Sequence, residues 1–177
     1  MIKVECNGEA FEFSNEISAN EVIKKTYGKK SGAVAALVNN EQKDLSYLLN
    51  ESCRVEPIRE DSKEGLYIMR HSCAHLLAQA VTELFPNAKP TIGPPVDDGF
   101  YYDFFMDPIN EDDLRRIEKL MKKIVKQNLP IQRQEHNNET LRNMFSDNSF
   151  KMEIMDDKIG QEVGSSIYKQ GNFVDLC

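Results

Sequence analysis

The segment PTIGPPVDDGFYYDFF, residues 90–105, limits what the second half of this chain can become. Its three prolines lack amide donors and lock φ, and its two glycines disfavour a helix, so no helix runs through it. The aromatic run GFYYDFF has strand propensity, and the segment reads as a loop feeding a β-strand. Amphipathic helices flank it. Over residues 67–84, Ile68, Ala74, Leu77, Ala78, Val81 and Leu84 recur mostly at three- and four-residue intervals, and Pro86 ends the run. Over residues 111–128, Leu114, Ile117, Leu120, Met121, Ile124 and Val125 form an apolar stripe, with an acidic start and a basic end that complement the helix dipole.

After Pro130 the pattern predicts a strand in IQRQEHN, a short helix in NETLRNMF, a strand in FKMEIM, and a turn into a last strand in YKQGNFVDLC. Residues 1–60 have a different rhythm. Ile2, Val4 and Cys6 alternate with polar neighbours, Asn7-Gly8 is a hairpin turn, and Phe11 and Phe13 alternate again. Ser18 and Glu21 form a capping box for a short helix ending at Gly28. A strand to Val38, a turn at Asn39-Asn40 and a strand in CRVEPI follow. The order ββαββ predicts a small mixed sheet crossed by one helix, a β-grasp or ubiquitin-like shape. The charged stretch REDSKEGL, residues 59–66, reads as a linker. The expected fold is therefore α+β: a β-grasp domain over residues 1–60, then an α+β domain over residues 61–177 with helices packed on an antiparallel sheet.

A net charge of -7 excludes a chain that attracts phosphate backbones over its whole surface. Any such contact must be local. On the second helix Arg115, Arg116, Lys119, Lys122, Lys123 and Lys126 could face RNA, but they lie off the apolar stripe among glutamates, as on most solvated helices. No apolar run is long enough for a membrane span or a signal peptide, so a cytoplasmic protein with no membrane partner is expected. Cys6, Cys53, Cys73 and Cys177 lack paired spacing and read as reduced thiols.

His71 and His75, in RHSCAHLLAQAV, are the candidate chemistry. Four residues apart on a helix, they point in one direction and can share a ligand. Position 72 is serine, so the general base of a metalloprotease helix is missing. Cys73 is turned to the other side of the helix. A structural pair that caps, packs or meets carboxylates and a functional site both fit the spacing.

HSCAHLLAQAV, then IGPPVDDGFYYDF, then NFVDLC together resemble the editing domain of bacterial-type threonyl-tRNA synthetases. That family carries an H-x-x-x-H helix, a G-F-Y-Y-D strand and a D-[LM]-C-R-G-P-H segment in this order. The ββαββ unit resembles the TGS domain that precedes it there. Alanyl-tRNA synthetases and free-standing editing proteins have a related editing fold without that leader. The family's last motif continues past the cysteine to a further histidine, whereas this sequence stops at Cys177. The expectation is a piece of a longer synthetase, without its catalytic core.

The resemblance implies proofreading hydrolysis of mischarged seryl-tRNA(Thr), in support of threonyl-tRNA synthesis. It implies that His71 and His75 position water and ribose, that Lys151 stabilises charge or binds the serine side chain, and that Asp175 and Cys177 line the opposite wall. Tyr101, Tyr102 and Asp103 match the family's pocket strand as substrate-binding residues. On its own pattern Lys151 would be a solvated strand lysine and the tyrosines core aromatics. No metal is expected in this pocket, although related alanyl editing proteins hold zinc there. Zinc and ATP with magnesium are expected only in the absent core. The expected partner is the acceptor end of tRNA(Thr), with this chain a monomer and the whole synthetase a homodimer. A non-catalytic tRNA-binding or regulatory module and a free-standing aminoacyl-tRNA editing protein are the alternatives.

Overall fold

The computed structural model describes residues 1–159 and 165–176, and Cys177 lies outside them. The fold is mixed α+β, and its contacts divide it into two compact units, Met1–Met69 and residues 70–177.

In the first unit β1 (Ile2–Cys6) and β2 (Glu9–Phe13) form an antiparallel hairpin. Its turn residues Asn7 and Gly8 have φ of 53° and 77°, the doubly positive backbone that a two-residue hairpin requires. The two-residue strand β3 (Ile17–Ser18) leads into α1 (Ala19–Tyr27), where Ser18 and Glu21 close the expected capping box. Then come β4 (Ala33–Val38), β5 (Glu41–Lys43), β6 (Leu48–Leu49) and β7 (Cys53–Arg59). The main sheet has the order β2-β1-β7-β4-β5, with β1 and β7 parallel at its centre. Val22 and Ile23 of α1 pack against Val4, Cys6, Ala36 and Val55, and all of these are fully buried.

The helix α2 (Lys63–Leu84) starts inside the stretch read as a linker. Ser62 caps it: the Ser62 hydroxyl accepts from the Gly65 amide at 2.9 Å, and its carbonyl accepts from Leu66 at 2.9 Å. The charged residues there form an exposed first turn, which composition alone does not separate from a linker.

In the second unit the 90–105 segment forms two small ladders. One joins β8 (Lys89–Pro90) to β11 (Phe104–Phe105), the other β9 (Pro95–Val96) to β10 (Gly99–Phe100). Tyr101, Tyr102 and Asp103 lie between the ladders and belong to no strand, contrary to the expected continuous strand. Two features explain the break. Pro94 and Pro95 offer no amide donors. In addition, Phe100 pairs with Pro95 but Phe104 with Pro90, so the 90–95 side carries one extra residue, as in a bulge.

The helix α3 (Glu111–Lys126) packs Ile117 and Ile124 against Leu76, Ala80 and Val81 of α2. The chain continues through β12 (Ile131–His136), α4 (Asn138–Met144), α5 (Ser149–Ile159), β13 (Ser165–Gln170) and β14 (Phe173–Leu176). The last three strands make one antiparallel sheet in the order β12-β13-β14. Leu141 of α4, Met155 of α5 and Ile167 of β13 share a core. The FKMEIM segment is helix, not strand: its buried residues Lys151 and Met155 stand four apart, a helical and not an alternating period. Among the described residues no helix is long and apolar enough to cross a membrane.

Candidate active site

Three elements bring one polar group together. The helix α2 supplies His71 and His75 on one face, as their spacing requires, with the rings edge to face at 4.5 Å. The helix α5 supplies Lys151, and β14 supplies Asp175. All but His71 are buried, with Lys151 3% and Asp175 1% exposed.

Asp175 is the hub. Its Oδ2 accepts from His75 Nδ1 at 2.8 Å and from the Tyr102 hydroxyl at 2.6 Å. Its Oδ1 meets the Lys151 ammonium at 2.6 Å and accepts from the Leu176 amide at 2.9 Å. Lys151 Nζ also donates to the Tyr102 hydroxyl oxygen at 3.0 Å. A carboxylate only accepts, so His75 carries a proton on Nδ1. His75 Nε2 and His71 Nε2 lie 3.1 Å apart, at hydrogen-bonding distance, with one of the two donating.

Burial pushes the Asp175 carboxyl up. The His75 hydrogen bond and the Lys151 charge outweigh it, and the carboxyl stays below its ordinary range, ionised. Burial, with help from His75, pushes the His71 imidazole down to about 4, and Asp175 only partly offsets this. At neutral pH His71 is therefore uncharged and can accept a proton.

Five of the residues named from sequence thus meet: His71, His75, Lys151, Asp175 and Tyr102. Lys151 is a buried helix residue in an ion pair, which corrects its reading as a solvated strand lysine. Tyr101 and Asp103 are exposed, on the alternate side from Tyr102, and do not join the group. Asp103 works through its backbone, with its amide donating to Ile92 and its carbonyl accepting from Thr91. Cys177 lies outside the described residues.

Tyr168 of β13, which the sequence reading does not name, also lies beside the histidine pair. Its ring centroid lies 5.8 Å from that of His71 and 5.4 Å from that of His75, and it stands directly opposite Asp175 in the sheet. The signal was present: a two-residue turn at Gly171-Asn172 pairs Gln170 with Phe173, which sets Tyr168 against Asp175.

Both nitrogens of His75 and both oxygens of Asp175 are engaged, and among the described residues no three His, Cys, Asp or Glu side chains are placed to hold a metal ion. On α3, Arg115, Arg116 and Lys122 pair with acidic neighbours on their own helix. Together with Glu118, Lys119, Lys123, Lys126, Leu84 and Leu120 they line a groove of about 670 Å³.

The chain is similar along its whole length to a threonine-tRNA ligase of Chlamydia trachomatis serovar D, 44% identical over 179 residues, which are 100% of this chain and 28% of that protein. It belongs to the threonine-tRNA ligase family. Another member, from Thermoplasma volcanium, is 53% identical over 134 residues, covering 76% of this chain and 20% of that ligase. The Thermotoga maritima ligase is 40% identical over 175 residues, covering 97% of this chain and 27% of its own. No family model matches the chain. The chain spans about a quarter of the length of these threonine-tRNA ligases, between 20% and 28%.

Proposed function

We propose that this chain is the N-terminal editing region of a threonine-tRNA ligase, a β-grasp domain over residues 1–60 followed by an editing domain over residues 61–177, and that it hydrolyses seryl-tRNA(Thr). The order β2-β1-β7-β4-β5 with one helix against it supports the β-grasp reading. The observation that carries the reaction is the hydrogen-bonded series from Lys151 through Asp175 and His75 to His71.

In this reading a water attacks the ester carbonyl carbon and loses its proton to the neutral His71, which its depressed basicity keeps free of a proton at pH 7. Asp175 holds His75 in one tautomer, and His75 holds His71. Charge passed toward the imidazoles is stabilised by the buried carboxylate, whose own charge the Lys151 ammonium balances. The bond from the carbonyl carbon to the ribose oxygen then breaks, the proton returns to that oxygen, and serine and tRNA leave. Proofreading answers a difference of one methyl group, worth only about 1 to 3 kcal/mol in a binding pocket.

The partner in this proposal is the acceptor end of tRNA(Thr), in the cytoplasm. This region uses no cofactor, and zinc and ATP with magnesium serve the remainder of the ligase. The chain alone is a monomer and the whole ligase a homodimer. Serine release from seryl-tRNA(Thr), measured beside threonine release from threonyl-tRNA(Thr), tests the reading: selective loss of serine is expected, and equal, background loss of both would refute it.

A further inference from the structure

Asn148 stands immediately before α5 and uses each of its polar side-chain atoms. Its Oδ1 accepts from the amides of Phe150 at 3.1 Å and Lys151 at 3.3 Å, and its carbonyl accepts from Met152 at 3.1 Å. This is a full N-cap on the helix that carries Lys151. Two amides can only donate, so the side-chain orientation is fixed, and Nδ2 is left to donate to the Pro90 carbonyl at 2.7 Å. Aspartate would cap as well but would present no donor to Pro90.

Pro90 opens the segment that carries the extra residue opposite Tyr102. Thr91 donates to the Asp103 carbonyl from its amide and its hydroxyl, and Asp103 donates to the Ile92 carbonyl, each at 2.9 Å. This clamp lays Gly93 on the Tyr102 ring, where an added Cβ would fall 2.1 Å from Cδ2. Gly93 has no left-handed φ, so the position needs glycine for space and not for conformation. The Tyr102 hydroxyl then reaches Lys151 Nζ and Asp175 Oδ2. The path from Asn148 to Pro90, Gly93, Tyr102 and Lys151 returns to the Asn148 cap.

We propose that Asn148 and Gly93 are positioning residues for ester hydrolysis. Asn148 fixes the segment bearing Tyr102 against the helix bearing Lys151, and Gly93 sets the depth of the tyrosine ring. The activity arm of the test rests on the hydrolytic reading above, whereas its spectroscopic arm does not.

The test compares Asn148→Asp, Asn148→Ala, Gly93→Ala and Tyr102→Phe in this chain. Asn148→Asp keeps the cap and removes the donor, so its thermal midpoint should stay above that of Asn148→Ala. Its kcat for serine release should nevertheless fall about tenfold or more with KM little changed, and Gly93→Ala should fall as far. Because Asn148 acts through Tyr102, adding Asn148→Asp to Tyr102→Phe should cost no further activity. The exchangeable proton of His75 bonded to Asp175, followed by NMR, should shift in Asn148→Asp and in Gly93→Ala. Full kcat in Asn148→Asp, or losses that simply multiply in the double variant, would overturn the proposal. If the parent chain releases no serine, the hydrolytic reading fails, and an unmoved His75 proton in both variants would separately overturn the positioning role.

Discussion

His75 Nδ1 and Asp175 Oδ2 stand 2.8 Å apart, with side chains only 8% and 2% exposed. At that burial the bond is the direction-setting contact of the site. It fixes which nitrogen of His75 is protonated, and through the second nitrogen it fixes the ring of His71.

The two imidazoles should therefore respond differently to removal. His71→Ala deletes the proposed proton acceptor from the half-buried end of the series, and serine release should fall by about 10² to 10⁴-fold with little loss of stability. His75→Ala should abolish activity as well and also destabilise the fold by about 1 to 3 kcal/mol, because Asp175 loses a buried donor. Single-turnover deacylation together with urea denaturation separates the two outcomes.

The ion pair predicts an asymmetry between single and double substitution. Lys151→Met leaves the Asp175 carboxylate buried without its cation, at a cost of about 3 to 5 kcal/mol. Combining Lys151→Met with Asp175→Asn removes both charges and should recover most of that loss. A urea double-mutant cycle in which the double variant is no more stable than Lys151→Met would contradict this.

Some of this geometry could be read from residues alone. The His71 and His75 spacing, the Ser18 and Glu21 box and the Asn7-Gly8 turn are local rules, and each produced the expected element. Lys151 defeated the pattern because a buried lysine looks the same in sequence as an exposed one, and only the distant Asp175 neutralises it. Ser62 is hidden within a charged stretch that reads as a linker, although serine three residues before Gly65 and ahead of an apolar period is itself a start signal. Tyr102 was legible as a family position, but its bonds to both Lys151 and Asp175 depend on a bulge whose register no local rule supplies.

The first turn of α2 offers a test in which two effects oppose each other. Alanine is a better helix former than glycine by roughly 0.8 to 1 kcal/mol, which favours Gly65→Ala. An added Cβ at Gly65, however, would lie 1.8 Å from the Arg59 carbonyl oxygen, which already accepts from the Ser62 hydroxyl at 2.7 Å. Backbone cannot yield there cheaply, so steric cost should win and the substitution should destabilise by about 1 to 3 kcal/mol. Thermal unfolding reads the sign, and a raised midpoint would contradict the close approach.

Acid should weaken the protein in two stages. The unfolded chain protonates His71 as pH falls through about 6.5, whereas the folded chain resists until about 4. Over that interval the unfolded state holds more protons, so stability declines as the solution is acidified. A half-buried imidazole is screened, which limits the loss to about 1 to 2 kcal/mol. Asp175 acts lower. Its folded carboxyl is depressed, so its contribution persists above the unfolded carboxylate value of about 3.9 and disappears as pH falls through the folded value. The urea midpoint should fall from pH 7 to pH 5 in the parent and fall least in His71→Ala, which lacks the upper stage. With His71 as the proposed proton acceptor, the acid limb of serine release should lie near pH 4, and a limb at 6.5 would show that His71 does not take the proton.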